Sequence, residues 1–266
     1  MQTLQNKVIW ITGASSGIGE ALVSALAKEG AKLILSARRA DELERVATNC
    51  KLQAADHLIL TLDLANQSNF ETKKNEVLKK FDRIDILVNN GGVSQRSLAK
   101  DTSVEVDRRI MEVNYFGTIA LTKVLLPEFI KQKSGLYVVV SSAVGKFGSP
   151  WRSGYSASKH ALHGFFDSLR AEVYEDGIKV LIVCPGFIQT NVSVNAFTGT
   201  GAKLGTMDAA TAQGLTATEC ARKMVSAIKA GKEEIVTAKF KERFAVFAKR
   251  FFPSVFSTMI RRMNVR

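Results

Sequence analysis

Short apolar runs alternate with longer amphipathic segments along this chain from Val8 onward. Val8, Ile9, Trp10 and Ile11 form the first run and lead into a glycine turn, after which residues 20–29 read as a helix that stops at Gly30. Residues 32–37 and 57–62 give two further strands, the second closed by Asp63. Between them a helix over 40–52 carries Leu43, Val46 and Ala47 on one side. A weaker helical pattern covers 70–81, and 84–88 is a buried-strand pattern that runs into Asn89, Asn90, Gly91 and Gly92. A long helical region is expected over 103–133, a strand over 136–140, and a helix over 155–175 with Gly177 as its stop. The strand over 179–184 is broken by Pro185 and Gly186, and the last short strand is expected at 234–236. Strands apolar on both faces and separated by helices predict an α/β, doubly wound, mostly parallel sheet covered on both sides.

Right-handed crossovers in such a sheet place ligands at the carboxyl ends of the strands. Gly13, Ala37, Asp63, Asn89, Ser142 and Pro185 each sit at or just after one of those ends. Residues 187–217 break the rhythm with Gly199, Gly201, Gly205 and Gly214, and a loop of this length is expected to be an active-site lid or to hold a short helix. Thr216 or Thr218 can cap the helix that follows to about residue 230, with Glu219 in its first turn. No composition shift marks an interdomain linker. Residues 1–238 therefore read as one domain including the lid, and 239–266 as an amphipathic basic extension.

Gly13, Ala14, Ser15, Ser16, Gly17, Ile18 and Gly19 join the first strand to the first helix. Free backbone N–H groups and the helix dipole make such a junction an anion site. The spacing is GxxxGxG, unlike the commoner GxGxxG, and it lacks the lysine ending of a phosphate-loop NTPase. Taken alone, three glycines also fit a structural turn, the lesser of the two readings. Tyr155 and Lys159 stand four apart, hence on one helical face. An unperturbed tyrosine titrates near pH ~10, and a neighbouring ammonium favours its phenolate. Ser142 at a strand end can hold a carbonyl oxygen. Alone, the pair is equally an incidental feature of a solvated helix.

Together these motifs resemble the short-chain dehydrogenase/reductase family over residues 8–236. Thr12 through Gly19 match its nucleotide motif, and Asn89, Asn90, Gly91 and Gly92 match its Asn-Asn-Ala-Gly motif with glycine at 91. Ser142, Tyr155, Lys159, Asn114, Pro185 and Gly186 complete the set in order. The resemblance implies a Rossmann-type sheet of seven strands. It implies that Tyr155 exchanges a proton with a carbonyl or alcohol, that Ser142 orients the substrate oxygen, and that Lys159 lowers the tyrosine pKa and holds the nicotinamide ribose. Asn114 is then expected to support a water relaying protons towards Lys159. Gly13, Ser15, Ser16, Gly17, Ile18 and Gly19 are expected around the cofactor phosphates. Asp63 and Leu64 are expected at the adenine, and Asn89, Asn90 and Gly91 on the adenosine side. Pro185, Gly186, Ile188 and Thr190 are expected towards the nicotinamide.

Cofactor choice turns on the end of the second strand, where NAD enzymes place an acid on the adenosine ribose. Ala37 stands there, followed by Arg38 and Arg39, whose guanidiniums suit a 2′-phosphate. NADP(H) is expected over NAD(H), the alternative being that both arginines are a solvated helix start. No metal is expected: His160 and His163 lack a partner at zinc spacing, and Cys184 reads as a packed strand residue. Asp101 and Asp107 read as solvated charges, and His57 as an edge or core histidine.

The formal net charge is +12, but residues 231–266 hold nine Lys or Arg against three Glu, so half of the excess lies in the extension. No nucleic-acid-binding module accompanies it, and no nucleic-acid partner is expected. Phe240, Phe244, Phe247 and Phe251 recur there at helical spacing among Lys241, Arg243, Lys249 and Arg250. Phe252, Phe256, Met259, Ile260 and Met263 extend the apolar content. The segment can pack on protein, or lie on an anionic membrane through residues 240–264. Three cysteines without a framework and no apolar stretch at the N-terminus give a cytoplasmic expectation, with peripheral membrane contact possible through that tail.

The substrate wall is expected from residues 94–98, 144–151 and 187–215, with Val144, Phe147, Trp151, Phe187, Val192, Val194 and Phe197 giving it an apolar bias. That points to a hydrophobic ketone, aldehyde or secondary alcohol. Family resemblance adds a homodimer or homotetramer formed through the helices of Asn114 and Tyr155. The competing readings are an epimerase or dehydratase using the same Tyr–Lys pair, which lacks the large substrate domain it needs, and a catalytically inactive NADP(H)-binding regulator or membrane-surface protein, which leaves Ser142, Tyr155 and Lys159 without a role.

Overall fold

In the computed structural model, residues 3–262 of the chain are described. Strands β1 (Val8–Thr12), β2 (Lys32–Ala37), β3 (His57–Thr61), β4 (Ile86–Asn89), β5 (Gly135–Val140), β6 (Ile178–Pro185) and β9 (Glu234–Thr237) form one sheet in the order β3-β2-β1-β4-β5-β6-β9. Every neighbouring pair is parallel. The alternating directions of strand side chains explain why both faces need covering. In β1, Ile9 and Ile11 enter one core and Val8 and Trp10 the other. The Trp10 indole N–H is satisfied inside by Ser36 Oγ at 2.7 Å. Helices α1 (Gly17–Lys28), α2 (Ala40–Asn49) and α8 (Ala217–Lys229) cover the first face through Leu22, Leu26, Val46, Met224 and Ile228. Helices α3 (Phe70–Phe81), α5 (Gly117–Gln132) and α6 (Ser153–Glu172) cover the second through Val77, Leu121, Leu125 and Phe166.

Strand order reverses between β1 and β4, since β1 pairs with β2 on one side and β4 on the other. The crevice at such a switch point is where this class of sheet binds ligands. The expected helix over 103–133 is α4 (Val104–Met111), with Ser103 as its N-cap, then a π-helical turn Glu112–Phe116, then α5. Asn114 lies in that π turn, a feature that re-aims side chains at functional sites. Helix α6 begins two residues before Tyr155. Its Gly154 and Tyr155 amides donate to Gln95 Oε1 at 2.8 and 3.3 Å, a cap supplied from another loop.

Residues 187–217 are ordered by short elements: β7 (Ile188–Gln189) pairs with β8 (Leu215–Thr216), and α7 (Ala209–Ala212) lies between them. Thr216, not Thr218, caps α8, in a reciprocal capping box with Glu219. The C-terminal extension forms α9 (Phe240–Phe251) and α10 (Pro253–Ile260). Ala245, Ala248 and Phe256 pack with Ala143 and Phe147 of the main body, while Phe240, Phe244, Phe247, Phe251 and Phe252 stay exposed. Met263 lies outside the described residues. No helix among the described residues is long and apolar enough to cross a membrane.

Candidate active site

The glycine turn after β1 is built for close approach. Gly13 and Gly17 hold φ of 66° and 60°, and a side chain at Gly19 would collide with the Gly13 carbonyl. Thr12 Oγ1 accepts the amides of Asn90 and Gly91, each at 3.0 Å, and Asn90 Nδ2 donates back to the Thr12 and Gly13 carbonyls. The two motifs therefore form one strapped unit. Asn89 is turned towards α5, donating to Thr122 Oγ1 at 3.0 Å, so what it presents to the crevice is backbone. Gly91 stands against Leu64, whose Cδ1 is 2.8 Å from where a Cβ would sit. Ser15 and Ser16 precede Ile18 at the start of α1, and the Ser16 side chain makes no cap hydrogen bond. The first-turn amides of α1 thus lack a side-chain cap, as a bound phosphate requires.

Thr190 leans over this turn, its Cγ2 3.0 Å from a Cβ position at Gly17. Ile188 is buried in β7 beside Pro185 and Gly186. Asp63 is exposed after β3 and caps the amide of Ala65 at 3.0 Å. Arg38 and Arg39 are both exposed after β2, and Arg39 lies 4.0 Å from Glu42. Arg45, unmarked in the sequence, donates to the Ser15 carbonyl at 3.3 Å while paired with Glu20 and Glu42. Among the described residues no cluster could hold a metal ion.

Ser142, Tyr155 and Lys159 converge between β5 and α6. Ser142 caps the short 3-10 turn Ala143–Gly145, accepting the Val144 amide at 3.3 Å, and its hydroxyl donates to the Pro185 carbonyl at 3.4 Å. Lys159 is buried, donates to the Val140 carbonyl at 2.8 Å, and lies 5.8 Å from the Tyr155 ring centroid. Burial pulls its pKa down to about 8. Burial pushes the Tyr155 phenol above the ordinary tyrosine value, while the Ser142 hydroxyl and the charges of Arg96 and Arg152 act against it. Arg96 and Arg152, which no sequence motif marks, thus add positive charge at the phenol. Asn114 Oδ1 accepts the Val93 amide at 2.8 Å, and its Nδ2 donates to the Val93 carbonyl and Ser158 Oγ. Its side chain fixes the segment after Gly92 to α6.

Those arginines were not singled out by sequence. Arg96 and Arg152 are buried and meet Asp208, the N-cap of α7, at 2.8 and 3.7 Å. Burial raises the Asp208 carboxyl, but its Thr211 hydrogen bond and Arg96 bring it below the usual carboxylate range. Arg96 and Arg152 line, with Tyr155 and Ser142, a cleft of about 670 Å³ that includes open solvent. Val144, Phe147, Phe187 and Val192 line it as expected. Trp151, Val194 and Phe197 do not. Phe197 is packed against Val106 and Ile110 under Arg109, because the lid folds back along residues 94–96. Glu242, Ala245 and Ile260 of the extension also line the cleft, which no local pattern announces. Asp107 is half-buried, not solvated, and burial raises its pKa.

A family model described as short chain dehydrogenase matches residues 7–201. A relative from Anopheles gambiae, "Dehydrogenase/reductase SDR family protein 7-like", is 47% identical over 264 residues, covering 97% of this chain and 83% of that protein. The chain belongs to the short-chain dehydrogenase/reductase family. Two solved members share its fold: one from Burkholderia phymatum in complex with NAD (TM-score 0.83, 22% identity, covering 100% of this chain and 99% of that one) and one from Burkholderia cenocepacia in complex with NADP (TM-score 0.80, 22% identity, 97% and 99%). At that identity the likeness is one of fold. As a family member the chain is an oxidoreductase that uses a nicotinamide dinucleotide for hydride transfer, and the strapped glycine turn fits that group.

Proposed function

We propose that this short-chain dehydrogenase/reductase is an NADP(H)-dependent carbonyl reductase acting on a hydrophobic ketone or aldehyde, or on the corresponding secondary alcohol in reverse. The observation that carries it is that Ser142 and Tyr155 line the same apolar cleft, with buried Lys159 5.8 Å from the Tyr155 ring centroid. Bound NADP(H) supplies the hydride. Ser142 holds the substrate oxygen, Tyr155 gives or takes its proton, and Lys159 holds the nicotinamide ribose, with Asn114 fixing the segment after Gly92 to the helix that carries Lys159. Exposed Arg38 and Arg39, with Ala37 and not an acid at the end of β2, support NADP(H) over NAD(H). Replacing Tyr155 by Phe is expected to cut turnover by roughly 10²–10⁴-fold while leaving NADPH affinity near wild type. Preserved turnover would refute the proton-transfer role.

A peripheral membrane contact through residues 240–264, on an otherwise cytoplasmic protein, is supported by the extension itself. Phe240 is 81% and Phe251 63% exposed, with Lys241, Arg243, Lys249 and Arg250 between them. Three free cysteines agree with a reducing compartment. A homodimer or homotetramer through α5 and α6 is supported by exposed Phe116 beside Tyr115, which in turn meets Phe165.

A further inference from the structure

Glu242 stands in the first turn of α9 and reaches the wall of the cleft that carries Ser142 and Tyr155. Its Oε2 is shut off from solvent yet meets no hydrogen-bond donor among the described residues. Its Oε1 lies over Gly186, 3.2 Å from the position a Cβ would take. The Gly186 amide is already given to the Thr237 carbonyl at 3.1 Å. An acid in the first turn suits the α9 dipole, but that role does not require its oxygen to be shut off from water, and the buried inward positions of the helix are Ala245 and Ala248. A carboxylate oxygen withdrawn from water is costly unless a donor arrives. The cleft wall mixes apolar Val144, Phe147 and Ile260 with polar Ser142, Ser149, Tyr155 and Thr211, yet none of them hydrogen-bonds Glu242 Oε2.

We infer that Glu242 is a specificity-determining residue that accepts a hydrogen bond from a hydroxyl on the apolar body of the substrate, remote from the reacting carbonyl. The inference rests on the carbonyl-reductase reading for the identity of the other end of the ligand. It narrows the substrate class to hydroxylated hydrophobic ketones and aldehydes. The extension is then part of the substrate site: its inward face reads one end of the molecule while Tyr155 addresses the other.

The test is calorimetric binding of two bicyclic ketones, a decalone and a hydroxydecalone with the hydroxyl on the far ring, to the Tyr155→Phe protein saturated with NADPH. The hydroxyl compound is expected to bind roughly 10- to 100-fold more tightly, the scale of a hydrogen bond to a charged acceptor. Adding Glu242→Leu is expected to erase the preference, and Glu242→Gln, which keeps a neutral acceptor, to retain part of it. Equal affinity, no binding of either ketone, or a preference that survives Glu242→Leu would overturn the assignment. So would weaker NADPH binding in Glu242→Leu without ketone, since Glu242 would then serve the cofactor. If the preference holds while the wild-type protein oxidises no NADPH with either ketone, the reductase reading falls and the Glu242 assignment stands.

Discussion

Asp208→Leu is the perturbation that most sharply probes how the lid is held. Asp208 is 9% and Arg96 6% exposed, their charged atoms are 2.8 Å apart, and Arg152 lies 3.7 Å from the same carboxylate oxygen. Removing the carboxylate takes away the negative charge between the Arg96 and Arg152 guanidiniums in a half-closed cleft. Breaking a buried ion pair by deleting one partner costs about 3–5 kcal/mol. Asp208 also caps α7 through the Thr211 amide at 2.7 Å, which adds about 1 kcal/mol. Water entering as the lid loosens relieves part of this, so a loss of about 3–5 kcal/mol in urea unfolding is expected, seen as a lower midpoint at unchanged slope. The double variant Arg96→Met/Asp208→Leu removes one charge of each sign and should cost less than the sum of the two single variants, with coupling of about 2–3 kcal/mol. A single-variant cost below about 1 kcal/mol, or strict additivity, would refute the pairing as the lid's anchor. Arg96→Met also withdraws a positive charge from Tyr155, so the tyrosine pKa should rise and the alkaline limb of the pH–rate profile should move to higher pH.

Arg38→Ala should weaken NADPH by roughly tenfold or more while leaving NADH nearly unchanged, measured by fluorescence titration; equal loss of both contradicts 2′-phosphate recognition. His163 is buried beside Ser141, and burial first, then Lys146, drives its pKa to about 4. Its folded pKa is depressed, so between pH ~6.5 and about 4 the unfolded chain takes up a proton that the folded one refuses. Stability should fall as pH falls through that window, by up to about 3 kcal/mol, and His163→Gln should flatten the slope in urea melts. Serine at Phe240, Phe247 and Phe251 should abolish sedimentation with anionic vesicles while sparing stability within about 1 kcal/mol, because the three rings are exposed; sedimentation that survives these changes argues that the extension docks on protein instead.

The sheet was legible because its strands are apolar on both faces: runs such as Val8–Thr12 can be buried nowhere else, and the glycine turn marks where the first one ends. The Tyr155–Lys159 pair was legible for the same reason of spacing, since four residues make one helical turn. What stayed hidden depends on contacts between distant segments. Gln95 caps α6 from about 60 residues away, which moves that helix start to Ser153. Arg96, Arg152 and Asp208 come from three different loops and read as ordinary surface charges until the lid folds over them. Phe197 and Trp151 looked like pocket walls because hydrophobicity does not say which side of a loop faces the cleft. The extension showed its outer aromatic face in sequence, whereas its inner contribution to the cleft follows from α9 turning back onto Ala143 and Phe147.

The most direct test of the central claim is to mix the wild-type protein with NADPH or with NADH, add a panel of hydrophobic ketones, and follow loss of the reduced nicotinamide. The account predicts turnover with NADPH, tighter binding of NADPH than of NADH, and loss of that turnover in Tyr155→Phe. Turnover with NADH alone, or undiminished turnover without the tyrosine hydroxyl, would contradict it.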